Sequence, residues 1–428
     1  MTVRDMFEGH PVKERLRAWS QELPGSRWYV VGGAVRDALL GRVIKDVDVL
    51  VAGVAPEDLV AFLEARGAVD YVGRVFGVFK FASREGGIRI DIALPRRERS
   101  AGTGGYRDVA AQSDPGLPIE DDLARRDFTI NAMAWDATEG VIVDPFGGVA
   151  DLGRKMLRAV GDAETRFLED CTRMLRALRF SCQLGFVIEP LTWGALGRLM
   201  PRIEGVREGE RLVPYELIAR ELLKSLEADP GRAVEMWRGS GAFRAFLPEL
   251  VAEDAVARRL AAIGPGHGEA TFAGLLHDAG PERAGAIAER LRASAVPGFD
   301  VSRGRVSRTI DLAHRMQARG AEDWRPSELR RSFLADAVVG DDALLLAGGL
   351  GVDPEAYVRR LASIRERCAA PLLDGEGVMR LLGLKPGPEI RQALDLLMDA
   401  QAEGKIGSPE EAEAFLKDAD HDLRHPLC

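Results

Sequence analysis

The chain has 428 residues, of which 46% are hydrophobic and 29% charged, and its formal net charge is −9. This composition is typical of a globular protein and excludes a disordered chain, and the length predicts two to four structural units. No apolar run reaches the roughly 18 residues of a spanning helix, and the first residues, MTVRDMFEGHPVKERL, lack a signal-peptide core, so we expect a cytoplasmic protein.

The predicted elements change in character once along the chain. Up to about residue 162, short β-branched runs alternate with glycine turns, as in WYVVGG, DVDVLV, VFKFA, IRIDIAL and GVIVDPF. Beyond that point apolar residues recur at spacings of three and four, with Gly and Pro at the joints. The predicted fold class is therefore α+β, with an N-terminal mixed sheet followed by a nearly all-helical remainder.

The segment from Trp28 to Gly53, WYVVGGAVRDALLGRVIKDVDVLVAG, predicts a strand, a glycine turn, a short helix and a second strand. Gly32 and Gly33 permit a tight turn and close approach to the backbone, and the free N–H groups of a helix start suit a phosphate. Two glycines alone, however, more often form a plain strand-turn-helix corner.

Two aspartates follow in KDVDVLV, where Asp46 and Asp48 alternate with Val47 and Val49. On a strand both carboxylates lie on one face, where they repel unless a cation such as Mg²⁺ lies between them. The alternative is an exposed strand edge with solvated aspartates. Asp91, in IRIDIALPR, follows on a predicted neighbouring strand and would complete an acidic set. Metal ions held by such carboxylates align a hydroxyl on an α-phosphate, which is nucleotidyl-transfer chemistry.

A nucleotide site also needs a positive wall, and two segments predict one. DDLARRDFTINAMAWD contains Arg126, and EDCTRMLRALRF places Arg173, Arg176 and Arg179 three residues apart, with Asp170 three residues before them. Within this helix three arginines with one acid leave positive charge that favours an anion, and an acid and an arginine one turn apart can read a base edge. The alternative is a solvated, salt-bridged helix face.

Together these motifs resemble the class II tRNA nucleotidyltransferase and bacterial poly(A) polymerase family. GGAVRD with DVDV, EDDLARRDFTINAMAWD, DPFGG, EDCTRMLRALRF and GLKPGPEIRQAL occur in the family's order, closely over roughly the first 190 residues and again near residues 371–415. The resemblance implies a seahorse-like enzyme with a five-stranded head and a helical neck, body and tail. The corresponding boundaries are 1–162 for the nucleotidyltransferase head, 163–230 for the neck, 231–345 for the body and 346–428 for the tRNA-binding tail.

The resemblance also implies roles for single residues. Asp46 and Asp48 match the metal-binding pair, and Asp91 matches a further catalytic carboxylate. The implied nucleotide-binding residues are Gly32, Gly33, Arg36 and Arg126, the base-pairing residues Asp170 and Arg173, and the triphosphate-supporting residues Arg176 and Arg179. The implied cofactor is Mg²⁺, the implied partners are CTP, ATP and the acceptor arm and 3′ end of tRNA, and we expect a monomer or homodimer that does not associate with membranes.

The motifs do not distinguish CCA-adding from A-adding enzymes or poly(A) polymerases. Between Arg96 and Ile119 the chain is glycine-rich and has the length of the family's flexible loop, which CC-adding members lack. The acidic composition weighs against a general RNA-tailing enzyme. We therefore expect template-independent addition of CCA, or of the terminal A, to tRNA with release of pyrophosphate. Poly(A) polymerase stays the alternative, and a CC-adding enzyme is less favoured.

Two further motifs remain open. GLLHDAGPERAG contains His277 and Asp278, the dyad of HD phosphohydrolases, but the other histidines lack the spacing of such a metal site. We expect a degenerate, structural remnant and keep an HD-type hydrolase as a less favoured alternative. The family's ER pair in the neck is left unassigned between Glu210-Arg211 and Glu216-Leu217.

Overall fold

The computed structural model describes residues 7–44, 46–72, 78–84, 89–100, 102–105, 109–250 and 254–424. The chain forms two compact units. The first contains the residues up to 225 together with 235–248, and the second contains 226–234 and the residues from 249 onwards. The chain crosses between the units after residues 225, 234 and 248, and the division into head, neck, body and tail stays a prediction.

A mixed sheet forms the centre of the first unit. Its strands are β1 (Arg27–Val31), β2 (Asp48–Ala52), β3 (Gly67–Val72), β4 (Val78–Ser83), β5 (Arg89–Ala93), β8 (Ala134–Asp136) and β9 (Val141–Val143). In the described residues these seven strands have the order β3-β4-β5-β2-β1-β8-β9. β2 and β5 run parallel, whereas the other neighbours are antiparallel. The predicted mixed sheet is confirmed, with seven strands where the resemblance implied five.

The glycine-rich connection after β5 was expected to be a loop, and this is wrong for its two ends. They form a hairpin of β6 (Arg96–Ser100) and β7 (Val109–Ser113), in register from Arg96 opposite Ser113 to Ser100 opposite Val109. Pairing of the two backbones satisfies polar groups that a free loop would leave to water. In the described part of the tip, the Gly104 carbonyl accepts a 3.0 Å bond from the Cys171 N–H.

Helices that belong wholly or partly to the first unit accompany this sheet. They are α1 (Pro11–Glu22), α2 (Gly33–Leu39), α3 (Pro56–Glu64), α4 (Ile119–Ala124), α5 (Gly148–Gly153), α6 (Ala163–Glu169), α7 (Thr172–Leu184), α8 (Pro190–Leu199), α9 (Tyr215–Ala228), α10 (Pro230–Gly239) and α11 (Ala242–Phe246). Two short strand pairs lie among them, β10 (Met156–Leu157) with β11 (Val187–Ile188) and β12 (Val206–Arg207) with β13 (Glu210–Arg211). α7 ends at Gly185, whose φ of 70° is the left-handed conformation of a helix stop.

Aromatic packing fixes the sheet against the N-terminal helix. The Trp19 ring lies 5.2 Å from that of Trp28 and 5.3 Å from that of Phe81, and all three are buried. Large buried aromatic side chains contribute strongly to stability because each removes a wide apolar area from water. A second cluster, including Leu50 and Leu123, packs against α4. The sheet that bears the predicted acids is therefore held from two sides.

The second unit is helical throughout its described residues apart from turns and connections, as the sequence predicted. Its helices are α12 (Asp254–Ile263), α13 (Gly268–Leu276), α14 (Pro281–Arg290), α15 (Arg303–Ala318), α16 (Pro326–Leu329), α17 (Ala337–Gly349), α18 (Pro354–Arg367), α19 (Gly375–Leu382), α20 (Pro388–Ala402) and α21 (Pro409–Arg424). One core cluster surrounds Trp324, Phe333 and Tyr357, and another surrounds Leu397. Within the described chain, every helix is too short or too polar to cross a membrane.

Candidate nucleotide and metal site

The predicted acidic pair lies at the start of β2. Asp46 precedes the strand and Asp48 is its first residue, and both are exposed. Val47 and Val49 between and after them are buried, at 7% and 1% exposure. The alternation predicted from the sequence therefore holds, because successive strand residues point to opposite faces and only one face packs against the protein.

Asp91 lies beside this pair on the neighbouring parallel strand. It is opposite Asp48 in the β2–β5 register, and its N–H donates to the Val47 carbonyl over 3.3 Å. The three aspartates line one cavity of about 500 Å³, together with the cations Lys80 and Arg89. Strand pairing thus brings the three predicted carboxylates to one concave surface.

The electrostatics of Asp48 show crowded negative charge. The surrounding protein desolvates the Asp48 carboxyl and so raises its pKa, and the charges of Asp91 and Asp46 raise the pKa further, against a lowering influence from Arg126. A divalent cation fits such a donor set, since it would relieve this repulsion and prefers carboxylate oxygen. Across the part of the chain that the structure describes, no three His, Cys, Asp or Glu side chains converge as metal ligands. The residues present therefore fit an ion held by one or two carboxylates, and the described residues contain no preformed three-carboxylate site.

The glycine turn is shaped around an arginine. Gly32 has φ 70°, and a Cβ added there would lie 2.7 Å from Nη1 of Arg126, so a side chain at this position would force the guanidinium to move. The Arg126 Nη2 donates to Asp122 over 3.2 Å, and its buried Nε has no partner among the described residues. The Arg126 charge also acts on Asp48. The turn therefore places a cation beside the acidic pair.

Arg36 extends from α2 toward the same region. Its Nε and Nη2 donate to the two carboxylate oxygens of Asp37 over 2.9 and 3.0 Å. Its Nη1 donates to the side-chain oxygen of Asn131 over 2.7 Å. A Cβ on Gly33 would lie 3.4 Å from the Arg36 guanidinium, so this second glycine keeps space beside the cation. Arg36 is thus fixed in place by an acid and an amide.

A buried carboxylate, Asp127, connects Arg36 to the arginines of α7. Its Oδ1 accepts from Asn131 over 3.0 Å, and its Oδ2 accepts from Nε of Arg176 over 2.8 Å. Burial raises the pKa of Asp127, but the Arg176 charge and the Asn131 hydrogen bond outweigh it and lower the pKa to about 2. Asp127 is therefore ionised at neutral pH and fixes both partners.

The other arginines of the predicted stripe also have acidic partners. Arg179 donates to Glu221 over 2.5 Å, and Arg173 donates to Glu169 over 3.0 Å. The surplus of positive charge inferred from the helix alone is therefore wrong, because acids outside the stripe offset it. Asp170 and Arg173 lie together at the start of α7, where Oδ1 of Asp170 accepts from the Thr172 N–H over 2.8 Å. Among the described residues, Oδ2 of Asp170 accepts no hydrogen bond.

Three residues near these arginines were missed as site residues. Asp127 and Asn131 lie in the quoted motif RRDFTINAM, where an acid and an amide four residues apart were a usable signal. Glu221, on α9, is 2% exposed and pairs with both Arg179 and Arg220. A glutamate inside the apolar face of ELLKSL was its signal, since acids are seldom fully buried without a partner. Glu210 and Arg211, one of the two candidates for the family's ER pair, form β13. Nη2 of Arg211 donates to Oε1 of Glu204 over 2.6 Å.

The HD-like dyad lies in the second unit, and its acid is occupied by an arginine. Asp278 accepts from Nη2 of Arg259 through both oxygens, over 2.8 and 3.0 Å, and from Nδ1 of His277 at 2.8 Å. Burial lowers the pKa of His277, and its Nε2 has no partner within the described chain. A cation already neutralises the carboxylate, so these residues do not fit the metal of an HD phosphohydrolase.

Comparison with known proteins agrees with this geometry. The family model of the poly(A) polymerase head domain matches residues 28–158. The multifunctional CCA protein of Xanthomonas campestris pv. campestris is 40% identical over 275 residues, covering 59% of this chain and 63% of that protein. The multifunctional CCA protein of Paracidovorax citrulli is 43% identical over 227 residues, covering 52% of this chain and 50% of that protein. The chain thus spans less than two thirds of these relatives' lengths.

Solved structures match over the full chain. The Bacillus stearothermophilus CCA-adding enzyme in complex with CTP covers all of both chains at 26% identity, with a TM-score of 0.69. The Thermotoga maritima CCA-adding enzyme complexed with tRNA covers 95% of this chain and 94% of its own at 21% identity, with a TM-score of 0.65, and shows the shared fold alone.

A sheet with paired carboxylates at one edge and arginines beside it is the arrangement expected of a nucleotidyltransferase head, and the head-domain model matches these residues. The head-domain match and the similarity to multifunctional CCA proteins and a CCA-adding enzyme agree with the family that the motifs predicted, that of the class II tRNA nucleotidyltransferases and bacterial poly(A) polymerases. Nucleotidyltransferases of this kind generally use a divalent metal ion, which agrees with the donor chemistry of Asp46 and Asp48.

Proposed function

We propose that this protein adds nucleotides, CCA or the terminal A, to the 3′ end of tRNA without a template, using CTP and ATP and releasing pyrophosphate. The observation that carries the proposal is the placement of Asp46 and Asp48 beside Asp91 and within the influence of Arg126. The relatives named as CCA proteins and CCA-adding enzymes support it.

Asp46 and Asp48 are the residues that would hold the metal ion, which we propose to be Mg²⁺. When bound, this ion lowers the pKa of the attacking hydroxyl and neutralises charge on the phosphates. Mg²⁺ commonly uses one or two protein carboxylates and completes its coordination with water and substrate phosphates, which suits the pair found here. Asp91 is proposed as a further carboxylate that adjusts the charge at Asp48.

The arginines and the glycine turn would hold the nucleotide. Arg126 and Arg36 lie next to the turn at Gly32 and Gly33, and Arg176 and Arg179 follow on α7. In this role guanidinium groups bind phosphate oxygens and stabilise charge as pyrophosphate leaves. Their acidic partners hold them in place before the nucleotide arrives, so little side-chain order is lost on binding.

Asp170 and Arg173 are proposed to select the base. An acid supplies an acceptor and an arginine supplies donors, so the two can pair with the edge of cytosine or adenine. In the structure Arg173 is oriented by Glu169, whereas Asp170 retains a carboxylate oxygen that accepts no hydrogen bond within the described residues. The described tip of the β6–β7 hairpin lies beside Asp170, because the Gly104 carbonyl accepts a hydrogen bond from the N–H of the next residue, Cys171.

The tRNA would be recognised by the shape and phosphates of its acceptor arm rather than by its sequence, since double-stranded RNA is read in this way. We propose that helices within residues 346–428 contribute to this contact. The cytoplasmic location and the choice between monomer and homodimer stay predictions.

Poly(A) polymerase is the second candidate, favoured by the head-domain model that matches residues 28–158. Its substrate would be RNA in general, and its product a long A tract. A CC-adding activity is less favoured because the connection from Arg96 to Ile119 is present. An HD-type hydrolase is disfavoured because the Asp278 carboxylate, which would have to bind the metal, already pairs with Arg259.

One experiment separates these activities. Purified protein is given tRNAs ending before CCA, after C and after CC, each with labelled CTP or ATP, and an unrelated RNA. We expect addition to all three tRNAs for a CCA-adding enzyme, or of A to the third alone for an A-adding enzyme. Long A tracts on the unrelated RNA would show a poly(A) polymerase, and no incorporation into any RNA would refute the proposal.

A further inference from the structure

One aromatic ring lies under three of the arginines assigned to the nucleotide. The guanidinium carbons of Arg36, Arg176 and Arg179 lie 5.3, 5.3 and 4.1 Å from the ring centroid of Phe180. All three distances are within the ~6 Å range of a cation–π contact. Such contacts occur about once per 70–80 residues in proteins, so three on one ring form a local concentration of them.

The ring itself is fixed. Phe180 is 7% exposed, and its edge meets the ring of Phe128 at a centroid distance of 5.9 Å and an interplanar angle of 84°. Phe180 belongs to α7, as do Arg176 and Arg179. Arg36 comes from α2, the helix that begins at the glycine turn. The ring is therefore a contact that the turn arginine and the helix arginines share.

Two of the three cations, Arg176 and Arg179, are close enough to act on one another. Burial lowers the pKa of Arg179, and the charge of Arg176 lowers it further, against the favourable charge of Glu221. Each arginine has its own acid: Asp37, Asp127 or Glu221. These acids belong to different elements and fix each guanidinium separately, whereas the negative face of an aromatic ring attracts all three to one place.

We propose that Phe180 is a positioning residue whose ring holds Arg36, Arg176 and Arg179 together as one triphosphate-binding set. This inference rests on the proposed function, because it gives the arginine set a nucleotide to bind. Phe180 contributes no hydrogen bond to the nucleotide. Its effect is to hold the three guanidinium groups in their binding positions before the nucleotide arrives, so that binding does not have to order them.

The test replaces the ring while keeping an apolar side chain. In Phe180→Leu we expect the KM for both CTP and ATP to rise on the order of tenfold, with a small change in kcat, because nucleotide binding uses the arginine set. The matched control is Phe167→Leu on α6, since Phe167 is also buried and, within the described chain, no guanidinium lies over its ring. The control should change both KM values by less than about twofold.

A second series removes the effect of shape. Phenylalanine carrying one, two or three ring fluorines at position 180 keeps nearly the same volume while progressively weakening the negative ring face. We expect log KM to rise with each fluorine, and the same series at Phe167 to leave KM unchanged. A flat series at position 180, or an unchanged KM in folded Phe180→Leu, would overturn the inference.

The failure of this inference is distinguishable from failure of the proposed function. Wild-type protein is assayed first on a tRNA ending in CC with ATP. If it adds no nucleotide to any RNA, the proposed function fails. If it adds A and the fluorinated series is flat, the proposed function stands and the role of Phe180 alone is wrong.

Discussion

Replacing Asp127 with asparagine tests the buried network that fixes the arginines. Both carboxylate oxygens are used: Oδ1 by the Phe128 N–H and Asn131, and Oδ2 by Arg176. Asparagine keeps the shape, but it carries no charge and one of its two polar atoms cannot accept. Asp127→Asn therefore leaves the Arg176 guanidinium without its anion.

The magnitude follows from the pKa of Asp127. Against the ordinary value of 3.8, its pKa of about 2 corresponds to about 2 kcal/mol of stability in the ionised state. Because the pKa is lowered on folding, this stability is fully present above the unfolded value near pH 4. It is lost as the pH falls through the folded value near 2. We expect Asp127→Asn to lose about 2 kcal/mol at pH 7 and to differ less from wild type at pH 3.

Urea unfolding followed by tryptophan fluorescence measures this loss. Five of the six tryptophans lie in the first unit, so a Trp324→Phe background makes the signal specific to it. A double-mutant cycle with Arg176→Met isolates the ion pair, and we expect a coupling of about 1–3 kcal/mol between the two changes. Equal unfolding midpoints for Asp127→Asn and its background at pH 7, or an undiminished difference at pH 3, would refute the account of Asp127.

Two further predictions concern the glycine turn and the HD-like dyad. Gly32→Ala places a Cβ 2.7 Å from Arg126, whereas Gly41→Ala, at a similar φ of 67°, meets nothing within 4 Å. We expect the free energy of unfolding to fall by about 1 kcal/mol in both variants through backbone strain. Only Gly32→Ala should reduce kcat/KM for CTP and ATP, by tenfold or more. Equal kinetic losses in the two variants would contradict the assigned contact. His277→Ala should keep full nucleotide addition, because its Asp278 partner remains paired with Arg259. A tenfold loss of addition in that variant would show that the dyad takes part in the reaction.

The parts of the site that depend on local periodicity were predictable from the sequence. Asp46 and Asp48 lie on the solvent side of β2 because a strand alternates with period two, and the buried Val47 and Val49 fix which face that is. Asp91 could be placed on a nearby strand, although its register opposite Asp48 is a property of the assembled sheet. The mixed sheet and the helical remainder follow from the same reasoning.

The parts that depend on distant contacts were not predictable. Asp127 reaches Arg176 across 49 positions, and Glu221 reaches Arg179 across 42. Counting charges within one helix therefore gave a false surplus, because a helix pattern contains no information on acids brought in by other elements. The β6–β7 hairpin was missed for a similar reason, since RRERS and VAAQS show weak strand patterns and are stabilised by pairing with each other.

The most direct test of the central claim is incorporation of labelled AMP from ATP into a tRNA ending in CC by Asp46→Ala. Asp70→Ala is the matched control, since Asp70 lines the same cavity from β3 but lies outside the acidic pair. We expect Asp46→Ala to bind tRNA with nearly wild-type affinity and to add no measurable A, and Asp70→Ala to retain addition. Measurable turnover in Asp46→Ala would contradict the assignment of the metal-binding pair and the nucleotidyl transfer built on it.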